Sequence, residues 1–367
     1  MRTAIFHNYM DNIGGAETVG LVLAKELDAD IYTTNMDLSK VHKMGFRDLR
    51  IHSIGRVPLN APFRQQLTLH RFRKLDLGDR YDNFIIAGDW AMSGAVNNKP
   101  NLWYVHSPIR EIWDLYEFTR KNSVPWSLRP IFDIWVRYNR RLNLKNLSNV
   151  EKIAFNSRNT QERVRKYLGR EGKVIYPPVA TGDFHYKGNE DFWLSVNRLI
   201  YHKRVDIQMR AFSRLPGERL IIVGCFEGSR HFRQYAKYIE SIKPSNVEIL
   251  TQMDREGMID LYSRCKGFIT TSKDEDFGIT PVEAMASGKP VIAPREGGYR
   301  ETIIDGVTGI LIDDIDPQKL IDAIRSMGTE PESYREECVK HARQFDQSVF
   351  AGKIKEQLKE LEDMPRR

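Results

Sequence analysis

Short apolar runs separated by amphipathic stretches recur along the whole chain, and that alternation leaves few folds open. The runs cover residues 3–7, 31–34, 84–87, 102–106, 152–156 and 174–176, then resume at 192–197, 219–223, 247–250, 267–271, 290–293 and 309–312. Strands apolar throughout, with helix-length segments between them, belong to parallel sheets covered on both faces. Tyr176-Pro177-Pro178-Val179 interrupts the pattern once, because two prolines remove amide donors and oppose helical geometry. The expected architecture is α/β, with two Rossmann-like, doubly wound parallel-sheet domains at residues 1–180 and 181–346. A C-terminal helix at 347–362 is expected to pack back on the first domain. A length of 367 residues, more than one ordinary core holds, agrees with two domains.

Composition excludes several classes. Hydrophobic residues make up 41% and charged residues 29%, the balance of a water-soluble globular chain. No run reaches the roughly 18 apolar residues of a membrane span, so membrane contact is expected to be peripheral. The opening MRTAIFHNY turns polar after a few residues, which reads as a strand and not as a secretory signal. Cys225, Cys265 and Cys338 form no CxxC pair and read as reduced, buried thiols. A cytoplasmic setting is expected, with room for a peripheral position at the cytoplasmic membrane face.

Charge is shared unevenly. Residues 1–180 hold 28 Lys/Arg against 18 Asp/Glu, whereas residues 181–367 hold 28 against 31. The basic half either meets an anionic partner or carries ordinary solvated charge; the excess is dispersed and forms no block. Residues 108–145 combine Trp113, Trp126 and Trp135 with cations such as Arg120, Arg137 and Arg141. Two readings stand there: a helix that lies on an anionic membrane, or core aromatics with a cationic rim.

The chemistry concentrates between Glu275 and Ile312, in EDFGITPVEAMASGKPVIAPREGGYRETIIDGVTGILI. Glu275 is expected on the loop after a strand, and Glu283 in the first turn of a helix with Thr280 as N-cap and Pro281 at N1. A strand, a glycine turn and a helix start present backbone N–H groups to an anion, here from Asp276, Phe277, Gly278 and Ile279. Flanking carboxylates accept hydrogen bonds from hydroxyl-rich groups such as ribose or a hexose. The competing reading of Glu283 is a Thr280-x-x-Glu283 capping box with no further role.

Arg198 and Lys203 follow the strand at 192–197, where two fixed cations can balance a nucleoside diphosphate leaving group without a metal. Isolated, they would be surface charges. Gly14 and Gly15 lie between the first strand and its helix and permit close approach of an anion. The run is neither GxGxxG nor a P-loop. His106 ends a strand, where a polar side chain can reach a bound sugar; a lone histidine is otherwise structural. Asp274-Glu275-Asp276 admits a DxD metal reading, which the Arg/Lys pair makes redundant.

With these residues in view, the chain resembles retaining GT-B glycosyltransferases of family 4. The resemblance rests on the Glu275-x7-Glu283 segment through GGYRETIIDGVTGILI, on Gly14-Gly15, His106-Ser107-Pro108 and Asn156-Ser157, and on Arg198 with Lys203. It implies two sheets facing across a cleft, with Glu283 on the ribose hydroxyls, Arg198 and Lys203 on the diphosphate, and Glu275 with the following backbone on the donor sugar. It also implies His106 beside that sugar and Gly15 near the diphosphate. YVHSPIREIWDLY looks like the O-antigen mannosyltransferase subgroup, which implies GDP-mannose as donor and a glycan or polyprenyl-linked acceptor. No cofactor, metal or nucleic acid is expected. Arg204 stands where many relatives have glycine. Two rival readings remain: a GT-B epimerase or hydrolase acting on the sugar nucleotide, and a catalytically silent subunit that docks on anionic lipid.

Overall fold

The computed structural model describes residues 1–12, 14–224, 230–251 and 253–364, without the side chains of 230–233. Cys225 lies outside the described residues. The chain divides into two units, Met1–Pro178 with Ser348–Arg367, and Val179–Gln347. The division falls two residues earlier than expected. Val179 explains this: its N–H donates to the Phe345 carbonyl at 2.9 Å, and its carbonyl accepts from the Gln347 N–H at 3.1 Å.

The first unit is built on β1 (Thr3–Phe6), β2 (Asp30–Thr33), β3 (Ile51–Ser53), β4 (Asn83–Ile86), β5 (Asn101–Val105), β6 (Lys152–Phe155) and β7 (Lys173–Val174). They form one parallel sheet in the order β3-β2-β1-β4-β5-β6-β7. Alternate strand residues feed separate cores. Ile5, Ile85 and Leu102 join one apolar cluster, while Phe6, Ile86 and Trp103 join another. Period-two alternation sends them to opposite faces, so a strand apolar at every position satisfies both.

The C-terminal helix Gln347–Glu362 completes the first core. Phe350, Ile354, Leu358 and Leu361 are buried in the cluster that holds Ile5 and Leu102. The Phe350 ring meets the Tyr104 ring edge-on at 5.5 Å. Glu360 accepts from both Lys152 and Lys173 at 2.6 Å.

The second unit holds β8 (Trp193–Val196), β9 (Leu220–Val223), β10 (Val247–Leu250), β11 (Gly267–Ile269), β12 (Val291–Pro294) and β13 (Gly309–Ile312). Its parallel sheet runs β10-β9-β8-β11-β12-β13. Trp193, Ile222, Ile269 and Ile292 pack with Phe212 and Ile324 from flanking helices. In each sheet the strand order reverses once, between β1 and β4 in the first and between β8 and β11 in the second. Crevices at such reversals, at the carboxyl ends of the strands, are where doubly wound sheets take ligands.

Candidate active site

Arg198 and Lys203 follow β8, and Glu275 follows β11, so the reversal point of the second sheet gathers them. Lys203 Nζ donates to the Glu275 carboxylate, which also accepts from Ser272 Oγ at 2.6 Å. Burial alone would raise the Glu275 pKa. The Lys203 ammonium, the hydrogen bonds from Lys203 and Ser272, and the charge of Arg198 outweigh burial and hold it at about 2. Glu275 is therefore an ionised acceptor, bonded by Lys203 and favoured as the anion by the charge of Arg198.

Backbone geometry sets the loop around it. Asp274 has φ 46° and Gly278 φ 92°, both left-handed. A Cβ on Gly278 would lie 2.7 Å from Cε1 of Tyr299, so no side chain fits. The Gly297-Gly298 turn packs flat on the same loop, and the Gly298 N–H donates to the Glu275 carbonyl at 2.8 Å. A Cβ on Gly298 would stand 2.5 Å from the Phe277 Cα. Phe277 is buried, and its ring meets Phe345 edge-on at 5.5 Å.

The helix that follows is Ile279–Ala286, with Gly278 as N-cap and no side-chain cap. This corrects two expectations. Thr280 is not the N-cap and Pro281 is not N1, because the left-handed Gly278 starts the helix two residues earlier. Pro281 is then the third helical residue, where an N–H would have no intrahelical partner. Nor does the capping box form: the Glu283 carboxylate accepts from Tyr262 Oη at 2.9 Å. Burial raises the Glu283 pKa, against the Tyr262 hydrogen bond and the charge of Arg255.

Arg204 has φ 47°, which accounts for a position well suited to glycine. Its guanidinium donates to the Thr271 carbonyl at 2.7 Å and to Glu296 at 2.7 Å. Glu296 in turn accepts from the Asp274 N–H at 3.2 Å. The residue replaces backbone freedom with a clamp between the two loops.

In the first unit, Gly14 is the N-cap of helix Gly15–Leu27, and its N–H donates to Glu17 at 2.9 Å. That amide is thus engaged within the helix start; Ile13, between it and Asn12, lies outside the described residues. His106 follows β5, and Asn156 Nδ2 donates to its carbonyl at 2.8 Å. Its Nε2 is buried with no hydrogen-bond partner among the described residues. Burial, reinforced by His7, lowers the His106 pKa to about 3, so the ring is neutral.

Three groups beside His106 escaped the sequence reading. His7 follows β1, and its Nδ1–H donates to the Tyr9 carbonyl at 2.9 Å, with its Nε2 also buried and unpartnered among the described residues. Asp89 follows β4; Asn8 Nδ2 donates to it at 2.5 Å and the Trp90 N–H at 2.8 Å. Burial raises its pKa. Burial likewise pushes Glu111 up to about 7, with the charges of Asp89 and Asp114 adding to it. The signal that singled out His106, a polar residue just past a strand, would have found His7 and Asp89. Together they line the carboxyl ends of β1, β4 and β5, at the reversal of the first sheet.

The family described as Glycosyl transferases group 1 matches residues 183–345, the second unit almost end to end. Among curated relatives, a D-inositol 3-phosphate glycosyltransferase of Mycolicibacterium smegmatis is 32% identical over 154 residues, 41% of this chain and 36% of that protein. An alpha-1,3/1,6-mannosyltransferase of Mus musculus is 29% identical over 191 residues, 44% of this chain and 46% of that protein. The chain spans less than half the length of these relatives. Solved structures match nearly throughout. Anabaena HepE in complex with UDP-glucose has a TM-score of 0.76 at 20% identity, covering 98% of this chain and 99% of that one. Sucrose-phosphate synthase from Thermosynechococcus elongatus has a TM-score of 0.76 at 18% identity, covering 98% of both. The fold is GT-B, two Rossmann-like α/β domains, as the alternation of elements led one to expect.

Proposed function

We propose that this protein is a retaining glycosyltransferase of family 4 that moves a hexose from a nucleoside diphosphate sugar to a glycan or polyprenyl-linked acceptor. The observation that carries the reading is the Arg198, Lys203 and Glu275 constellation at the reversal of the second sheet, followed directly by an uncapped helix start. Arg198 and Lys203 neutralise the diphosphate, and the first amides of helix Ile279–Ala286 add the positive end of its dipole. Ionised Glu275 accepts from donor-sugar hydroxyls, and Glu283, oriented by Tyr262, accepts from the ribose.

In the proposed reaction the acceptor oxygen bonds to the anomeric carbon on the face from which the phosphate oxygen departs. The acceptor proton passes to the departing phosphate. Charge developing on that phosphate is met by Arg198 and Lys203, so electrostatic stabilisation is the main catalytic contribution and no metal is required. The role proposed for His106, neutral at the carboxyl end of β5, is that of a hydrogen-bonding group.

GDP-mannose is the proposed donor. Support comes from the resemblance of the segment around His106 to mannosyltransferases and from the mannosyltransferase among the relatives. We place the activity in the cytoplasm, in keeping with Cys265 and Cys338 as buried free thiols. The test is a thermal-shift panel of GDP, UDP, GDP-mannose and UDP-glucose, each with and without EDTA. Selective stabilisation by GDP and GDP-mannose, unaffected by EDTA, is expected. A shift with UDP compounds alone overturns the donor assignment, and loss of the shift in EDTA overturns the metal-independent reading.

A further inference from the structure

Helix Arg129–Leu147 buries polar residues beside Val136 and Leu147 and leaves apolar ones in solvent. Its inward residues include Asn139, Asn143 and Asn146, all buried. Two of these amides are used: Gln66 Nε2 donates to Asn139 at 2.8 Å and Trp113 Nε1 to Asn143 at 3.2 Å. The outward stripe instead carries Ile131 and Ile134, each 65% exposed, and Tyr138, 58% exposed. Arg141 and Lys145 continue that stripe and are also exposed. Spacings of three and four residues put all five on one face.

The turn before this helix adds Trp126, 81% exposed, the largest apolar group on the surface of the region. A neighbouring helix, Phe63–Lys74, repeats the design, with Phe63 and Leu67 exposed ahead of His70 and Lys74 on one stripe. The two helices are adjacent, since Gln66 bonds Asn139 and since Leu69 and Val136 share an apolar cluster. Phe63–Lys74 contains no acid. The single acid of the longer helix, Asp133, is taken up by Arg120 at 2.8 Å and Tyr116 Oη at 2.7 Å.

We infer that this face docks the protein on an anionic lipid bilayer, with Trp126, Ile131 and Ile134 entering the interface and Arg137, Arg141 and Lys145 meeting lipid phosphates. Apolar side chains beside cations, with no outward acid, match the layered chemistry of a bilayer surface. Nucleic acid offers phosphates but nothing that would bury two isoleucines, and a protein partner would not require cations to follow the apolar residues along both helices. The inference is independent of the proposed transfer reaction.

The test is co-sedimentation of the full chain with phosphatidylcholine vesicles, with and without one-third phosphatidylglycerol. Wild type is expected to bind only the anionic vesicles and to be released by salt. Ile131→Ser with Ile134→Ser, and separately Trp126→Ser, should each weaken partition by at least ~10-fold. Arg137→Gln with Arg141→Gln should abolish the preference for anionic lipid. Circular dichroism confirms that these exposed substitutions leave the fold intact. Vesicle binding that the apolar substitutions leave unchanged, or no vesicle binding at all, overturns the inference. A dimer that the same substitutions dissociate, without any lipid effect, assigns the face to a second copy and also overturns it.

Discussion

Replacing Lys203 by methionine probes the electrostatic centre of the second unit. In the folded protein Glu275 is held at about 2 against an ordinary 4.5, although burial works in the opposite direction. A difference of about 2.5 units corresponds to ~3 kcal/mol of stability contributed by the charged partners. Lys203 supplies the largest share, through both charge and hydrogen bond. Because the folded value is depressed, that stability is fully present above pH 4.5 and is lost as pH falls towards 2. Lys203→Met leaves the carboxylate buried with Ser272 and the more distant charge of Arg198, so it should destabilise by ~3 kcal/mol at pH 7. The gap from wild type should narrow as pH falls from 4.5 towards 2, the range over which the wild-type contribution is lost. Lys203→Met combined with Glu275→Gln should recover most of the loss, since no uncompensated charge remains. Urea denaturation at pH 7, 5 and 3 measures all three proteins. A Lys203→Met variant as stable as wild type at pH 7, or a gap independent of pH, would refute the reasoning.

Three further outcomes follow from the same geometry. Glu111 has a folded pKa raised to about 7, so its contribution favours folding below its ordinary value and is lost as pH rises through 7. Glu111→Gln should therefore be more stable than wild type at pH 8, by up to about 3 kcal/mol, with little difference at pH 4; thermal melts at the two pH values check this. Gly298→Ala drives a methyl against the Phe277 backbone and should cost about 1–3 kcal/mol and weaken nucleotide binding, read by denaturation and calorimetry. Tyr262→Phe removes the hydrogen bond to Glu283 and should cost about 1–3 kcal/mol while raising the Glu283 pKa further, visible as weaker nucleotide binding towards acid pH.

The strand pattern was legible because buried parallel strands are apolar at consecutive positions, and every run named in the second half lies on an observed strand. β3 was not legible. Ile51-His52-Ser53 is a half-exposed edge strand with one apolar residue, too short to show a period. The helix start at Gly278 was misread because Thr280 and Pro281 have the chemistry of a cap, whereas a left-handed glycine, visible only in coordinates, decided the matter. Residues 108–145 hold aromatics of both kinds, packed and exposed. Trp135 packs with Phe132 and Trp90, as core aromatics do, while Trp126 stands out in solvent. The gathering of Arg198, Lys203 and Glu275 was legible because each follows a strand closely. Glu111 was hidden, since its burial depends on helices packed around a loop and leaves no spacing to read.

The account depends most on Arg198 and Lys203 stabilising a departing diphosphate. Single-turnover sugar transfer by wild type and Arg198→Ala, with donor affinity measured in parallel, tests this directly. The predicted result is a rate about 10²–10³-fold lower in the variant, with a smaller change in affinity and the anomeric configuration retained in the product. Transfer at near wild-type rate in Arg198→Ala would contradict the claim.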